Sequence, residues 1–268
     1  MISGALKVDV FVKSFFIQAA WNAERMQNAG FLFALRRSLK QIWEGDQPNF
    51  EAACARASSF FNTHPYFAPA VMGVALHLEE KIASGLVLPE RIEVAKSRIA
   101  APLNALGSLW FWDHLKLLAF LMGLPFVLMD HPAAISAGAA GMFLFFNFFH
   151  LRTRWIGLKF GLLYGEDMVP DLLRMFPSRL LQSFRRMSVF MLGLCVPLMI
   201  AVLFDRIQDR LPPGIGQFHY LPALFFFKII LALLLMASVT IVLYNRWVSV
   251  YVLLALSLAV AVGVARWA

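Results

Sequence analysis

The side chains of this chain that could do chemistry lie in three short polar stretches. They read WNAERMQN from Trp21, FFNTHPY from Phe60 and LHLEEK from Leu76. Their Asn, Thr, His and Glu side chains donate or accept hydrogen bonds, and the second and third stretches could hold a ligand rich in hydroxyl groups. The sequence contains no nucleotide-binding loop, zinc-protease helix or serine-hydrolase elbow. The residue types therefore favour recognition of a polar ligand over catalysis.

The FFNTHPY stretch is the first candidate site. A residue before proline is pushed towards extended geometry, and Asn62 and Thr63 favour turns, so polar backbone and side-chain groups are exposed together. The plain interpretation is a turn that ends a helix. The apolar residues on both sides suggest burial near a membrane, where Asn62, Thr63 and His64 would need partners. A sugar hydroxyl could be such a partner.

The other two stretches each have a plain and a specific interpretation. In WNAERMQN, Glu24 would share one face of a helix with Gln27 or Asn28, three and four residues on, which predicts either a solvated surface or a polar seam against a partner subunit. In LHLEEK, Glu79 and Glu80 could accept hydrogen bonds from carbohydrate hydroxyls, or could simply form an exposed helix end. His77 lacks the second histidine of a zinc-binding helix, so we expect no metal there.

Composition places these stretches in a membrane protein. Of the 268 residues, 60% are hydrophobic and only 15% are charged, against about 25% charged in ordinary soluble domains. No globular core of this size hides so much apolar surface, which excludes a water-soluble enzyme. The 24 basic residues against 16 acidic ones fit a bias of Lys and Arg towards the cytoplasmic side of a membrane, rather than binding of nucleic acid. Cys54 and Cys195 form no metal-ligand pattern and are expected to be inert thiols.

Hydropathy predicts an all-α membrane protein in three parts. Residues 1–112 carry half of the charged residues and form amphipathic helices, which lie on a membrane surface or pack on neighbouring membrane helices. Residues 113–186 form a membrane hairpin followed by a basic cytoplasmic loop. Residues 187–268 form about three transmembrane helices.

The spans follow from the longest apolar runs. The hairpin consists of 115–129 and 135–151, with a polar turn at Asp130–Pro132 between them. The three C-terminal helices are predicted at 187–204, 221–244 and 247–265, where each run approaches or exceeds the length that crosses a bilayer.

Three long strings of this sequence carry a family resemblance. They are FFIQAAWNAERMQNAGFLFAL (15–35), SFFNTHPYFAPAVMGVALHLEEK (59–81) and RIAAPLNALGSLWFW (98–112), continued more weakly over 143–169. Together they resemble the IID membrane component of the mannose/fructose/sorbose class of the bacterial sugar phosphotransferase system. Beyond about residue 186 only the hydrophobic profile agrees.

The resemblance implies a multi-pass protein of the bacterial inner membrane and a set of partners. Members of this family pair with a IIC membrane subunit in hetero-oligomers, and the pair forms the path for a hexose-type sugar through the lipid bilayer. Soluble IIA and IIB proteins carry the phosphohistidines. This chain is therefore expected to carry no phosphoryl group, catalytic residue, cofactor or metal. The alternative is a diverged, non-transporting scaffold for phosphotransferase proteins.

One departure from the family pattern bears on this alternative. Where the family commonly reads P-L-A-G-x-G-D-x-x-F-W, this chain has Asn104 at a small-residue position and Ser108 at the acidic position. An acid beside a membrane path rarely lacks a purpose, so its loss favours the scaffold. Asp113 could replace it only if the local helix were re-registered.

The predicted substrate-binding residues combine these observations. Trp112 joins them because its indole could face a sugar ring, although an aromatic residue at this place could equally anchor the chain at the membrane interface. The set is Asn62, Thr63, His64 and Glu79, followed by Glu80, Asn104 and Trp112.

Overall fold

The computed structural model describes residues 2–129 and 131–208, and the regular elements within these ranges are all helices. The predicted all-α class is thus confirmed for the described residues, whereas the predicted spans 221–244 and 247–265 lie outside them. Two single turns, Ser14–Phe16 and Gly165–Asp167, and a wide π-helical segment, Ser108–Leu115, lie between helices. The helices are α1 (Gly4–Lys13), α2 (Asn28–Ile42), α3 (Gln47–Ala57), α4 (Ala68–Ala83), α5 (Arg91–Gly107), α6 (Lys116–Leu128), α7 (Pro132–Tyr164), α8 (Met168–Arg174) and α9 (Ser178–Gln208).

Local sequence explains where several helices begin and end. The Asp46 carboxylate accepts a hydrogen bond from the Asn49 backbone N–H at 3.1 Å and caps α3. Helix α4 begins at Ala68 although Pro69 follows, because the first turn of a helix has no use for the missing proline N–H. Gly85, with a φ of 72°, lies just beyond the end of α4 in the left-handed conformation that glycine tolerates.

The helix that the spacing of Glu24 and Gln27 predicts is absent from the structure. Residues 17–27 form turns, and α2 begins only at Asn28. The Asn22 side-chain oxygen accepts the Arg25 N–H at 2.7 Å, and the backbones of Asn22 and Met26 pair across the turn. Asn competes with helices in this way, because its side chain satisfies nearby backbone groups. The predicted solvated helix face was therefore wrong.

The basic segment 152–186, predicted as a loop, is also mostly helical. Helix α7 continues from the membrane run to Tyr164, and α8 and α9 follow. Arg and Lys are good helix formers, and the buried side chains of Thr153, Arg154 and Leu158 give this part of α7 a face that packs inside the protein. The excess of Arg and Lys indicated a polar segment, but it did not indicate whether that segment is a loop or a helix.

The chain divides into two compact units. The first contains Met1–Asp113 and Phe146–Leu180, and the second contains His114–Phe145 and, among the described residues, Leu181–Gln208. In the first unit α4 is central: every residue from Ala68 to Leu76 is buried, and the helix contacts α1, α2 and α5. This buried helix immediately follows the FFNTHPY stretch, so it fixes one end of that stretch.

Small residues let α4 and α7 approach backbone to backbone in the first unit. A Cβ added to Gly73 would lie 2.6 Å from the Leu158 carbonyl oxygen, and one on Gly161 would collide with the carbonyl oxygen of Ala70. Gly157, four residues before Gly161, faces the Ala70 methyl group. Glycines spaced four apart are typical of close helix contacts in membranes.

The second unit is apolar. Its helices α6 and α7 touch where a Cβ on Gly138 would lie 2.9 Å from the Gly123 carbonyl oxygen. In the described part of the chain, two continuous helical stretches, Arg91–Leu128 and Pro132–Arg174, are long and apolar enough by composition to cross a membrane.

Candidate functional site

The WNAERMQN and FFNTHPY stretches meet in space through Gln27. Its side-chain Nε2 donates to the Thr63 carbonyl oxygen at 2.8 Å, and its Oε1 accepts the Thr63 backbone N–H at 3.2 Å. The Gln27 backbone N–H donates to the Phe61 carbonyl oxygen at 2.9 Å, and Asn28 Nδ2 donates to that of Ser58 at 2.9 Å. The partner of this polar seam therefore lies within the chain, 36 residues away in the case of Gln27.

Thr63 is buried and its polar groups have internal partners. Besides the two bonds to Gln27, its hydroxyl donates to the Ala100 carbonyl oxygen on α5 at 2.8 Å. A hydroxyl that donates its proton in this way can offer a ligand only its acceptor lone pairs. The structure thus uses Thr63 as an anchor, while Asn62, which precedes it, is exposed.

Lys96 lies one turn before Ala100 on α5 and binds the residues that immediately precede the FFNTHPY stretch. The buried ammonium donates to the Arg56 carbonyl oxygen at 3.0 Å and to Ser59 Oγ at 2.8 Å, and it lies 4.9 Å from the Phe31 ring centroid. A cation at the C-terminus of α3 is favourable, because the carbonyl groups there carry partial negative charge. Lys96 and Ala100 together hold the segment from Arg56 to Thr63 against α5.

His64 lies in a cage of aromatic rings and is 1% exposed. Its imidazole stacks on Phe111 with the ring centroids 5.5 Å apart, and the rings of Tyr66 and Trp112 lie at 4.9 and 5.3 Å. Gly107 contacts the imidazole so closely that any side chain at that position would occupy the same space. The ring is therefore held in one orientation.

One nitrogen of His64 has no partner among the described residues. Nδ1 accepts the Tyr66 backbone N–H at 3.4 Å, so the proton of the neutral ring lies on Nε2. Nε2 is buried without a hydrogen bond, an arrangement that costs free energy unless a ligand meets it. Burial, aided by the nearby Arg154 charge, lowers the pKa of His64 to about 4, so the ring is neutral at pH 7.

Arg154 is a buried cation that the sequence analysis missed. Its Nε donates to His150 Nε2 at 2.7 Å, and its Nη1 donates to the Ser14 carbonyl and hydroxyl oxygens at 2.8 and 2.9 Å. The guanidinium lies 5.4 Å from the Tyr66 ring centroid, and no carboxylate pairs with it among the described residues. The four-residue spacing of His150 and Arg154 places them on one helix face and could have indicated this pair.

Glu79 lies far from His64 and has internal partners. Arg56 binds its two carboxylate oxygens at 3.0 and 2.9 Å, and the Trp43 indole N–H donates to it at 3.1 Å. Glu79 lies about 16 Å along α4 from Ala68, from a rise of about 1.5 Å per residue. Glu80 is half-buried beside it, and its backbone oxygen accepts the Ser84 hydroxyl at 3.0 Å. The expectation that these carboxylates share a site with Asn62 and His64 does not agree with this placement.

The π-helical segment re-registers the chain between Asn104 and Trp112. Asn104 is exposed on α5, Ser108 is half-buried at the first π residue, and the Trp112 indole is 43% exposed above His64. Because π-helical hydrogen bonds join residues five apart, Asp113 follows Ser108 by about one wide turn and is exposed. The π-helical segment therefore changes the register between Ser108 and Asp113 from that of an α-helix, and a replacement of the acid by Asp113 stays a prediction.

The groups that gather around His64 suit an uncharged ligand. The buried N–H donor of His64 and the neighbouring indole of Trp112 provide a hydrogen bond and an apolar surface, and the exposed amide of Asn62 lies two residues before His64 in the chain. The described residues contain no group of three side chains that could hold a metal ion. This chemistry is typical of polyol recognition.

Comparisons with known proteins agree on one family. A family model described as "PTS system mannose/fructose/sorbose family IID component" matches residues 2–267. The mannose-specific EIID component of Escherichia coli K12 is 29% identical over 214 residues, which cover 78% of this chain and 73% of that protein. The fructose permease IID component of Bacillus subtilis 168 is 26% identical over 209 residues, covering 75% and 73%.

Two solved structures share the fold. A chain in the cryo-electron-microscopy structure of the mannose transporter ManYZ in complex with microcin E492 aligns with a TM-score of 0.58 and 23% identity, covering 99% of this chain and 97% of that one. A second, described as a membrane protein, aligns with a TM-score of 0.64 and 22% identity, covering 98% and 97%.

Proposed function

Because the chain belongs to the mannose/fructose/sorbose family of phosphotransferase-system IID components, we propose that it binds a hexose-type sugar through Asn62, His64 and Trp112, in a path shared with a IIC subunit. It is the IID subunit of a mannose-class permease. The relatives named above are a mannose-specific EIID component and a fructose permease IID component, which supports a hexose as the substrate class.

The observation that carries this proposal is the Nε2–H of His64, which finds no partner among the residues that the structure describes. A sugar hydroxyl is an acceptor that would satisfy it, and the exposed amide of Asn62 would bind a second hydroxyl. Trp112 would offer its indole face to the apolar side of the sugar ring. Because His64 is neutral, these interactions need no counter-charge.

The other predicted residues take different places in the proposal. Thr63 orients its two neighbours through Gln27 and Ala100, and Glu79 braces α3 against α4 through Arg56. Asn104, exposed on α5, is an outer candidate for sugar contact. Glu80, at the far end of α4, is outside the proposed site.

The proposed assembly is a hetero-oligomer in the bacterial inner membrane. We expect several passes through the lipid bilayer: the hairpin of α6 and α7, α9, and the two apolar runs 221–244 and 247–265. Soluble IIA and IIB proteins would phosphorylate the sugar on the cytoplasmic side. We expect this chain to contribute no catalytic residue, cofactor or metal.

The test is uptake of labelled hexoses by cells that express the chain with its cognate IIC, IIA and IIB proteins. We expect Asn62→Ala to raise the KM for uptake several-fold while the complex still assembles. Asn49→Ala is the matched control, since Asn49 is also exposed but bonds only within the cap of α3. An unchanged KM for Asn62→Ala would remove that residue from the site.

The same assay decides the scaffold alternative, which Ser108 at the acidic position of the family pattern favours. If the wild-type complex assembles fully and takes up none of the phosphotransferase sugars, the chain is a scaffold. If the lost acid is the reason, Ser108→Asp should then restore uptake.

A further inference from the structure

Helix α1 has two apolar faces, and the protein covers only one of them. Leu6 and Val10 point inwards and are buried. On the other side lie Val8, Val12, Phe15 and Phe16, each between 42% and 55% exposed. At 3.6 residues per turn, these residues lie within one sector of the helix and the turn that follows it. Phe33 of α2, 51% exposed, adds to them through a ring contact with Phe16 at 6.2 Å. We call these five residues the outer stripe.

The C-terminal end of α1 lies at a defined level of α7. The rings of Phe11 and Trp155 are 5.3 Å apart, those of Phe15 and His150 are 5.6 Å apart, and Arg154 donates to Ser14. At this level the apolar run 135–151 of α7 ends and the sequence continues as Arg152, Thr153, Arg154 and Trp155. Basic residues and a tryptophan after an apolar run mark the boundary between membrane and water.

The helices that carry most of the outer stripe, α1 and α2, are basic. Helices α1 and α2 together carry five basic residues and a single acidic one, Asp9. Asp9 is bound by Lys13 at 2.8 Å and by Arg37 at 3.4 Å. Lys13 also lies 5.5 Å from the Phe33 ring centroid, at the edge of the stripe. The basic residues are Lys7, Lys13, Arg36, Arg37 and Lys40.

We propose that α1 is an interfacial anchor whose outer stripe inserts at the edge of a leaflet that contains anionic phospholipid. An amphipathic helix with basic flanks lies in the plane of the interface with its apolar side about 5–10 Å into the headgroup and acyl boundary. The level of α1 on α7 places the stripe at this depth, and the basic flanks complement phosphate headgroups. The cost of exposing five large apolar side chains to water disappears in this arrangement.

The anchor does not depend on the sugar site. Its residues belong to α1, the turn after it and α2, and none of them is assigned to substrate. A basic, membrane-bound helix that braces Ser14 also braces Arg154, because Nη1 of Arg154 donates to both Ser14 oxygens. The anchor thus supports the part of α7 that carries His150, whose ring packs against that of Tyr66.

The test is spin labelling of the full chain in vesicles. Cys54 is replaced by Ser, and the buried Cys195 is left in place because the reagent cannot reach it. A nitroxide is attached to Val12→Cys or, as the control, to Ala55→Cys on the exposed side of α3. We expect the ratio of collisions with oxygen to collisions with a water-soluble nickel chelate to be several-fold higher at position 12. A high nickel collision rate at position 12 would overturn the anchor, and so would protection from both reagents, which indicates a protein contact.

A second arm tests the charge. In vesicles of phosphatidylcholine, added phosphatidylglycerol should raise the collision ratio at position 12, and the double variant Lys7→Glu with Lys40→Glu should abolish that increase. A ratio that does not respond to phosphatidylglycerol would overturn the preference for anionic lipid. Circular dichroism of each labelled variant confirms that helicity is retained before the collision rates are compared.

Discussion

At the scale of single residues, side chains far apart in sequence shape the FFNTHPY segment. Gln27 supplies both a donor and an acceptor to Thr63, in the way that a neighbouring strand would. The backbone N–H and carbonyl groups of Thr63 are both buried, so their hydrogen bonds to Gln27 replace the bonds that water would otherwise make. Gln27 therefore decides the conformation that presents Asn62 and His64.

Replacement of Gln27 by Ala should destabilise the protein by about 2–4 kcal/mol, since two buried backbone groups lose their partners. The measurement is the free energy of unfolding of the detergent-solubilised chain. Gln41→Ala is the reference, because Gln41 is an exposed residue near the end of α2, the helix that Gln27 precedes, and such changes stay within about 0.5 kcal/mol. Equal losses in the two variants would show that the Gln27 amide contributes nothing.

His64 should make stability depend on pH. Its pKa is about 4 in the folded protein and 6.5 ordinarily, so between these values the unfolded chain binds a proton that the folded chain does not. The stability that the neutral, buried imidazole contributes is fully present above pH 6.5 and is lost as the pH falls towards 4. The titratable groups beside the imidazole are Tyr66, His150 and Arg154, of which only Arg154 is a permanent cation.

The measurement is the nuclear magnetic resonance titration of the His64 ring protons together with the melting temperature. We expect the His64 resonance to titrate near pH 4 and the melting temperature to fall as the solution is acidified below 6.5. A midpoint near 6.5 would mean that the imidazole is open to water.

At the scale of elements, the crossing of α4 and α7 depends on glycine. The two backbones touch at Gly73, Gly157 and Gly161. Because these residues have no side chains, the backbone atoms of the two helices make dispersion contacts with each other directly. In the sequence these glycines resemble ordinary breaks in an apolar helix. Only the pairing of two helices that start 64 residues apart, at Ala68 and Pro132, explains them.

Gly161→Ala should therefore destabilise the protein by about 1–3 kcal/mol, because the new methyl group would collide with the Ala70 carbonyl oxygen and force the helices apart. Gly141→Ala is the matched control on the same helix. No atom lies within 4 Å of its added Cβ, and alanine should gain about 0.5–1 kcal/mol from its higher helix propensity. Thermal unfolding in detergent distinguishes the two. Stabilisation by both changes would contradict the close crossing.

At the scale of the whole molecule, apolar surface dominates. Exposed large apolar side chains continue along α6 and the first half of α7, among them Phe120, Phe126, Phe143 and Leu144. A surface of this kind needs lipid or a partner subunit around it.

We accordingly expect alkaline carbonate and high salt to leave the chain in the membrane pellet, and detergent to release it. The readout is the distribution of the chain between pellet and supernatant after centrifugation. A dispersed, stable monomer in detergent-free buffer would contradict the assignment to a membrane.

The sequence by itself determined the membrane class, the all-helical fold of the described residues and the family, because hydropathy adds up locally and the WNAERMQN and FFNTHPY strings are long and specific. It also indicated His64 and Trp112, which the structure brings within 5.3 Å of each other. Only the tertiary structure decided that Gln27 binds Thr63, that Arg56 and Trp43 occupy Glu79 and that Arg154 reaches Ser14 across 140 residues. The physical reason is that the sequence shows which polar side chains need a hydrogen-bond partner when buried, whereas the identity of that partner depends on which helices pack together.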